Sequence, residues 1–480
     1  MNKSFVLLFS LLLGTLVACC AFGPDYVRPA SDGPADWNTN SVDARAIGTW
    51  WHEFGDPELV AHVEQSLVHN NDLKAAVARI DAAAATLRLA RADYLPTINA
   101  GAGATRASAS EAGVVPLPSD PYTEYNAGLL VNYEINVWGR VRRANEAALA
   151  ELQRDIAVRD SVRATIAAAV AQAWFEARAL DRRIALLDRL YATRLENLDL
   201  QKSRLDAGLI GTYDYEQARS ETAAVAAQLP VLRSARLHAL TALAVLRGDS
   251  PHAMFAAWSK QRASTDENLE ALALPEVPRV PMDVPSNLLE RRPDIRAAEQ
   301  QLVAANARIG VAKAAYFPQL SLTGFAGAVS TAFSSLFESP TRTWEASVAL
   351  TQPLTDFNRV GANVNAANAK HSAAEAAYAR AIQAGFQETL DALANVTAAR
   401  EVMQAQDERV DALGKAWRVA QARYGAGRIG YLEQLDVERQ LRDVEQQQVT
   451  AKLSLLNATV DLYRALGGGW EEPAAVAMNE

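Results

Sequence analysis

The side chains that could do chemistry do not group into a catalytic or metal site along this chain. The six histidines are His52, His62, His69, His238, His252 and His371. They show no spacing to cysteines or carboxylates of the kind that binds a metal ion. No P-loop, nucleophile elbow or dinucleotide-binding fingerprint occurs. We therefore expect a protein that is not an enzyme and that needs no metal or cofactor.

The two cysteines, Cys19 and Cys20, follow an apolar leader. Phe5–Val17 is a mainly apolar run, but it is shorter than the roughly 20 residues that a spanning helix needs. The sequence LVAC at Leu16–Cys19 is typical of a bacterial lipoprotein processing site. We predict that residues 1–18 are a signal peptide and that Cys19 carries a covalent lipid. Cys20 then has no intramolecular partner, so no disulfide is expected. An ordinary signal peptide with incidental cysteines is the alternative.

The third set of candidate side chains is acidic and follows a glycine-rich turn. AGLIG at Ala207–Gly211 and AGRIG at Ala426–Gly430 each separate two helical patterns, and glycine permits tight reversals of the chain. Glu433 and Asp436 follow the second turn with the i, i+3 spacing of one helix face. Copies of this pair around an axis would make stacked acidic rings, which attract cations. Solvated surface charges are the alternative.

The elements that position these turns occur twice, at an offset of about 220 residues. Besides the two turns, YLP at Tyr94–Pro96 returns as YFP at Tyr316–Pro318. Each copy has the order helix, Tyr-x-Pro, strand, loop, strand, long helix, glycine-rich turn and helix. The chain is therefore predicted to be an internal duplication.

The long helices carry a continuous apolar stripe. In the first copy it consists of Val162, Ile166, Val170, Ala173, Ala177, Leu180, Ile184, Leu187, Tyr191, Leu195 and Leu198. Its mean spacing of about 3.6 is that of an amphipathic helix. A helix over 138–205 would be about 100 Å long. Such lengths favour antiparallel coiled-coil pairs over a compact globule.

The strand-like segments alternate with period two. In YNAGLLVNYEINV, Tyr125–Val137, odd positions are mostly apolar and even positions mostly polar, with Leu130 as the exception. Segments of this length can cross a bilayer with one face toward lipid and the other toward water. Four strands cannot close a lipid-embedded barrel, and an open sheet cannot reside in lipid. We therefore expect several copies to share one barrel. A water-soluble sheet with one wet face is the alternative.

Composition limits the possible partners. The formal net charge of −9 at pH 7 argues against nucleic acid. No apolar run after the leader reaches spanning length without interruption by Arg, Glu or Gln. If the mature chain crosses a membrane, we expect it to do so as a β-barrel.

Three stretches resemble a known family. They are GPDYVRP at Gly23–Pro29, RRPDIRAAEQQLVAANARIGVAKAAYFPQLSLTG at Arg291–Gly324, and LYRALGGGW at Leu462–Trp470. Together they resemble the TolC-like outer-membrane efflux proteins, and most of all the lipid-anchored (NodT-type) branch that serves drug and metal efflux. The resemblance implies a mixed α and β membrane protein. Its trimeric 12-stranded β-barrel, with four strands per chain, continues as a long α-helical barrel with an equatorial region.

The resemblance also implies a function and partners. The chain would be the passive outer-membrane exit duct of a tripartite efflux pump for drugs, toxic compounds or metal ions. It would be a homotrimer that works with a periplasmic adaptor (membrane-fusion) protein and a proton-driven inner-membrane pump. The alternatives are the exit duct of a protein-secretion system and a periplasmic coiled-coil adaptor that never enters lipid.

Gate residues are carried over by position. In the family, carboxylates matching Glu433 and Asp436 line the periplasmic constriction, which is closed at rest. Asp214 matches an aspartate that bonds to a neighbouring helix, and Tyr424 matches one of its partners. The family's basic partner aligns with Ile429, so the adjacent Arg428 is the candidate. The glycines expected at the helix tips, for adaptor contact, are Gly208, Gly211, Gly425, Gly427 and Gly430.

The predicted organisation follows the two copies. After the signal peptide come a lipid-anchored N-terminal segment (19–56), repeat 1 (57–247), an equatorial linker (248–285), repeat 2 (286–465) and a C-terminal tail (466–480). The predicted strands are 97–109, 123–137, 319–331 and 342–356. The predicted long helices are 138–205 and 358–424, and the predicted returning helices are 215–247 and 431–465.

Overall fold

A computed structural model describes residues 22–29, 48–108, 121–261, 273–278, 280 and 292–469. The first repeat contains α1 (Pro57–His69), α2 (Asn71–Ala92), β1 (Thr97–Ala107), β2 (Tyr122–Glu134), α3 (Arg140–Asp206) and α4 (Thr212–Leu246). After α5 (Pro251–Gln261), the second contains α6 (Pro293–Ala314), β3 (Gln319–Ser330), β4 (Arg342–Thr351), α7 (Arg359–Gly425) and α8 (Tyr431–Ala465). Short 3-10 helices occupy Trp50–Phe54, Phe333–Ser335 and Ser339–Thr341.

The duplication is visible in the helix lengths. Helices α2 and α6 have 22 residues each, α3 and α7 have 67 each, and α4 and α8 have 35 each. The chain nevertheless packs as two compact units, and each takes segments from both repeats. Among the described residues, the sheet unit comprises 22–29, 79–108, 121–156 and 297–380, and the helical unit comprises 48–78, 157–261, 273–278, 280, 292–296 and 381–469.

The sheet unit contains an antiparallel sheet with the order β1-β2-β3-β4. Its register extends the alternation of single strands across the whole sheet. One face carries Ile98, Leu129, Val131, Tyr133, Leu322, Trp344, Val348 and Leu350. The opposite face carries Thr97, Asn99, Asn126, Asn132, Glu134, Ser321, Thr323, Glu345 and Ser347. The sheet therefore has one apolar face and one largely polar face, as the alternation predicted.

The polar face has an apolar exception at Leu130. Its neighbour on β3 is Phe325. The ring of Phe325 lies close to Gly128 and Gly327, where an added Cβ would come within 2.7 and 2.9 Å of ring atoms. The missing side chains of these glycines make room for the ring, so Leu130 has an apolar neighbour on the polar face.

Both outer strands of the sheet are open. Among the described residues, β1 pairs with β2 alone and β4 pairs with β3 alone. One edge of each outer strand therefore presents unpaired backbone donors and acceptors. Such an edge is a template for another strand.

All four strands end earlier than predicted, and β2 and β4 do so by the most. Strand β2 stops at Glu134 rather than continuing to the end of 123–137, and β4 stops at Thr351 rather than at 356. Short connections follow, from Glu134 to α3 and from Thr351 to α7. Side-chain oxygens of Asn136 and Asp356 accept backbone N–H groups at the starts of α3 and α7, at 3.0 and 2.9 Å. A polar side chain used as a helix cap mimics the alternation of a strand.

The linker predicted over 248–285 is partly helical. Residues 251–261 form α5, whereas 273–278 have no regular structure. The proline-rich composition of the later part explains the difference, because proline cannot continue a helix.

Helix α4 corrects another expectation. By length and composition it could cross a bilayer, although no run after the leader was expected to reach that length. In the helical unit its apolar side chains pack against α3. Val225 and Leu229 form a buried cluster with Ile184, Leu187 and Leu190. Helix–helix packing of this kind accounts for these buried side chains of α4.

The main core of the helical unit is rich in aromatic residues. Trp50 stacks on Tyr463 with 5.5 Å between ring centroids, and Phe54 contacts Phe175 at 5.1 Å. Trp50 and Phe175 are fully buried. Aromatic side chains of this size contribute much of the apolar area that a core removes from water.

An extended segment, Phe22–Pro29, lies along the sheet unit, and we call it the strap. The ring of Phe22 packs against Phe317 with 4.1 Å between centroids. Asp25 accepts a hydrogen bond from Nη2 of Arg143 at 2.7 Å. The chain immediately after the predicted lipid anchor is therefore held at the strand ends by an aromatic contact and an ion pair.

Candidate functional site: the helix-tip turns

The turn between α3 and α4 is closed by backbone hydrogen bonds. Gly208 has a φ of 71°. Its N–H bonds to the carbonyl of Leu205 at 2.9 Å, and the N–H of Leu209 bonds to the carbonyl of Arg204 at 2.9 Å. This pattern is a Schellman motif, in which a residue of positive φ ends a helix.

The turn between α7 and α8 repeats this geometry. Gly427 has a φ of 68°. Its N–H bonds to the carbonyl of Tyr424 at 2.9 Å, and the N–H of Arg428 bonds to the carbonyl of Arg423 at 2.8 Å. The two repeats therefore end their long helices in the same way.

Only two of the five predicted tip glycines need the conformational freedom of glycine. Gly208 and Gly427 have positive φ. Gly211 and Gly430 are extended residues that precede α4 and α8, with φ of −84° and −77°. A Cβ added at Gly211, Gly425 or Gly430 would meet nothing within 4 Å. An L side chain therefore fits at these three positions.

Glu433 and Asp436 lie in the first two turns of α8, and both side chains are exposed. Oδ2 of Asp436 accepts a hydrogen bond from Nε2 of Gln440 at 2.7 Å. Glu433 makes no side-chain hydrogen bond or ion pair with the described part of the chain. The two carboxylates are thus accessible on one helix, as a ring of copies would require.

Tyr424 is paired differently from the expected link. Its hydroxyl accepts a hydrogen bond from Nη1 of Arg204 at 2.8 Å. Asp214 lies in the first turn of α4 and makes no side-chain hydrogen bond or ion pair within the described residues. Arg428 is exposed in the second turn. The contact of Asp214 with a neighbouring helix therefore stays a prediction for the assembled protein.

A buried ion pair lies next to the predicted gate residues. Nη1 of Arg194 on α3 is 2.8 Å from Oε2 of Glu438 on α8, and their side chains are only 4% and 7% exposed. Thr222 on α4 donates hydrogen bonds to the backbone carbonyls of Ala218 at 2.8 Å and of Arg194 at 3.4 Å. Buried charges of this kind are tolerated only when they are paired.

A third side-chain contact lies between the Arg204–Tyr424 hydrogen bond and the Arg194–Glu438 ion pair along α3. Nδ2 of Asn197 donates to the hydroxyl of Tyr431 at 2.8 Å, and Nε2 of Gln201 donates to Oδ1 of Asn197 at 3.1 Å. Burial raises the pKa of Tyr431, so its phenol stays neutral. We call the pairs Arg204–Tyr424, Asn197–Tyr431 and Arg194–Glu438 the tip ladder. It joins α3 to the α7–α8 hairpin.

Sequence reasoning missed the tip ladder because the 3.6-residue stripe leaves the buried seam after Leu187, which is itself buried. The stripe continues to Leu195, which is 41% exposed. The buried residues beyond Leu187 include Arg194 and Gln201. Leu187, Arg194 and Gln201 are seven residues apart, the repeat of a coiled coil. A heptad pattern drawn from Leu187 would have placed Arg194 in the seam.

Two further predictions concern the lipid anchor and metal binding. Cys19 lies outside the described residues. Within the part of the chain that the structure describes, no group of three or more His, Cys, Asp or Glu side chains could hold a metal ion.

Comparison with known proteins identifies the family. A family model described as outer membrane efflux protein matches residues 62–249 and 284–468. The solvent efflux pump outer membrane protein SrpC of Pseudomonas putida is 31% identical over 477 residues, with 98% of each chain covered. Outer membrane protein OprJ of Pseudomonas aeruginosa is 32% identical over 475 residues, which cover 98% of this chain and 97% of OprJ.

A solved structure agrees with these relatives. The open state of the MtrE outer membrane channel of Neisseria gonorrhoeae superimposes with a TM-score of 0.81 at 29% identity, covering 94% of this chain and 99% of that one. These matches confirm the efflux interpretation and the outer-membrane location. This chain belongs to the outer membrane efflux protein family and is the outer-membrane component of an efflux pump.

Proposed function

We propose that three copies of this chain close their sheets into one 12-stranded barrel that is a passive exit duct through the outer membrane. The observation that carries the proposal is the sheet with one apolar face and two open edges. No unpaired sheet edge is stable in lipid, so each edge needs a partner strand.

The order of the strands suits closure between copies. Strands alternate in direction from β1 to β4, so β4 of one copy can pair antiparallel with β1 of the next. One copy supplies four strands, whereas the smallest membrane barrels have about eight. Three copies supply twelve, the number in the TolC-like proteins that the sequence resembles. The apolar face would then contact lipid and the polar face would line the lumen.

The helix tips form the proposed periplasmic gate. Three copies of Glu433 and Asp436 would make two acidic rings at the constriction. Asp214 and Arg428 would contact neighbouring helices. An adaptor protein would contact the turns around Gly208 and Gly427, and an inner-membrane pump would supply the energy. The chain itself would catalyse no reaction. SrpC is named for solvent efflux, which supports small molecules as the exported class.

The N-terminus adds a lipid anchor to this proposal. Residues 1–18 would be removed and Cys19 acylated, as in the NodT-type branch. The strap supports this arrangement because Phe22 is packed beside the strand ends. Cys19 is three residues from Phe22, a distance of at most about 11 Å. The lipid and the barrel would therefore enter the membrane at the same level.

Planar-bilayer recording tests the duct and its gate together. The wild-type protein is expected to conduct weakly and to prefer cations, since clustered like charges between low-dielectric walls focus the field. The variant Glu433→Gln/Asp436→Asn should lose much of the cation preference without a wider pore. Asp214→Ala should raise conductance, because it removes a link between helices.

A matched control distinguishes the rings from other surface carboxylates. Asp411 is an exposed residue of α7 that pairs with Lys415. Asp411→Asn should leave ion selectivity at the wild-type value. If the double variant also keeps the wild-type selectivity, the constriction lies elsewhere. If the protein inserts and never conducts, the duct itself is refuted.

A further inference from the structure

An open cavity of about 530 Å³ lies in the sheet unit between the end of α2 and the start of α3. Its lining includes three leucines, at Leu87, Leu95 and Leu149. The other lining residues are Arg91, Tyr94, Arg142, Asn145 and Glu146. Leu87 is buried, whereas Leu95 is 68% exposed. The cavity therefore combines apolar walls with two guanidinium groups and a phenol.

The cavity lies at the junction of helices and strands. Helix α2 ends at Ala92 and β1 begins at Thr97, which pairs with Asn132 near the end of β2. At the same ends of the strands, the ring of Trp138 stacks on Phe317 with 5.0 Å between centroids. Aromatic clusters of this kind mark membrane interfaces. If the sheet spans the bilayer, as we propose, the cavity is level with lipid headgroups.

The cavity shares one face of α3 with the strap. Oε1 of Glu146, a cavity residue, accepts from Nε of Arg142 at 3.0 Å. Its Oε2 accepts from Nη1 of Arg143 at 2.7 Å, and Nη2 of Arg143 donates to Asp25 of the strap at 2.7 Å. The strap leads to the proposed lipid on Cys19, which must enter the bilayer. The cavity therefore lies close to the segment that would lead to the lipid anchor.

The charges around the cavity leave a cation available. Glu146 is shared by two arginines, and Asp25 is bound by Arg143. Arg91 is exposed, and its guanidinium makes no hydrogen bond or ion pair with the described residues. The Arg142 side chain is 60% exposed beside it. The cavity therefore has a surplus positive charge that faces solvent in a single chain.

A phospholipid matches these features. Guanidinium groups bind phosphate with paired hydrogen bonds, and basic pockets at this depth recognise anionic lipids. The phenol of Tyr94 is protonated at neutral pH and can donate a hydrogen bond, and burial raises its pKa further. We propose that Arg91, Arg142 and Tyr94 bind the headgroup of an anionic phospholipid of the periplasmic leaflet, with its acyl chains beside Leu95. This proposal rests on the membrane-spanning barrel proposed above.

Native mass spectrometry of the assembled protein provides the test. Delipidated protein in detergent is mixed with phosphatidylglycerol, with phosphatidylethanolamine or with inorganic phosphate. Wild type should retain about one phosphatidylglycerol per chain and markedly less phosphatidylethanolamine. Arg91→Gln/Arg142→Gln should reduce phosphatidylglycerol retention at least about tenfold, whereas Arg91→Lys/Arg142→Lys should keep part of it. Arg79→Gln, which changes another exposed arginine of α2, is the matched control and should bind like wild type.

Several results would overturn the lipid site. The first is equal retention of phosphatidylglycerol by the wild type and by Arg91→Gln/Arg142→Gln. The second is equal retention of phosphatidylglycerol and phosphatidylethanolamine by the wild type. The third is saturation of the site by inorganic phosphate alone. A structure of the assembly in which a neighbouring copy fills the cavity would also overturn it. Conductance of the same samples separates the two proposals. Normal conductance without lipid binding refutes this inference alone, whereas inserted protein that never conducts refutes the duct.

Discussion

Arg194 of α3 and Glu438 of α8 form a buried ion pair. Glu438 lies two residues beyond Asp436, on the helix that carries the gate carboxylates. Glu438→Gln leaves the guanidinium of Arg194 buried without its counter-charge. Such changes typically cost about 3–5 kcal/mol. We expect the free energy of unfolding, measured by denaturant titration of the assembled protein, to fall by that order.

A pair with one partner in water is the control. Arg439 of α8 is 59% exposed and lies 3.6 Å from Glu221 of α4, whose side chain is 14% exposed. Arg439→Gln should cost less than about 1 kcal/mol, because the guanidinium lies largely in water and such pairs contribute little. Replacing both buried partners, in Arg194→Met/Glu438→Leu, should restore most of the lost stability. Equal losses in Glu438→Gln and Arg439→Gln would mean that the buried pair does not hold α8 to α3.

Gly208 and Gly211 offer a second comparison within one turn. Gly208 has a φ of 71°, a conformation that costs a residue with a Cβ about 1–2 kcal/mol. Gly211 has a φ of −84°, and its surroundings are open. Gly208→Ala should therefore lower the free energy of unfolding by about that amount, whereas Gly211→Ala should change it little. The reverse order would contradict the turn geometry.

The sequence predicted the tip glycines as a group but not their separate roles. AGLIG and AGRIG indicate reversals, yet φ depends on the hydrogen bonds that close each helix. The partner of Tyr424 was also out of reach. Arg204 lies 220 positions away from Tyr424, so its approach depends on how two distant helices pack.

At the scale of elements, the two faces of strand β2 test which side of the sheet contacts lipid. Val131 lies on the apolar face and Asn132 on the polar face of β2. If the apolar face contacts lipid, Val131→Lys should destabilise the inserted protein by roughly 2–4 kcal/mol near the bilayer midplane. Asn132→Lys should have a small effect, because the lumen is wet. Reversible denaturant titration in detergent or lipid measures both. Equal losses would refute the assignment of faces.

At this scale the sequence was informative because two-residue alternation needs no tertiary information. It predicted two-faced strands and identified Leu130 as the exception. It could not supply Phe325 as the neighbour of Leu130, since register between β2 and β3 is a tertiary property. It also extended β2 through Asn136, because a polar capping residue fits the alternation of a strand.

At the scale of the whole molecule, the lipid anchor has its own test. Cys19→Ser should abolish acylation, since the thiol is the acceptor, and intact-mass measurement of the mature protein should show no acyl mass. The wild type should begin at Cys19 and carry the lipid. A wild-type protein that retains Met1, or that lacks an acyl group at Cys19, would contradict the prediction. The variant should keep part of its membrane association through the barrel alone, and membrane fractionation measures that part.

The central claim is that one chain supplies a third of a barrel, and disulfide cross-linking across the open edges tests it most directly. In a Cys20→Ser background, Ala102→Cys on β1 is combined in turn with Trp344→Cys, Ala346→Cys and Val348→Cys on β4. All of these positions lie on the apolar face. Ala102→Cys with Ala326→Cys is the control, because β3 lies between β2 and β4. We predict that at least one β1–β4 pair gives covalent species of two and three chains and none larger, whereas the control stays monomeric. Absence of cross-links at every β1–β4 pair, or a ladder that continues beyond three chains, would contradict the shared 12-stranded barrel.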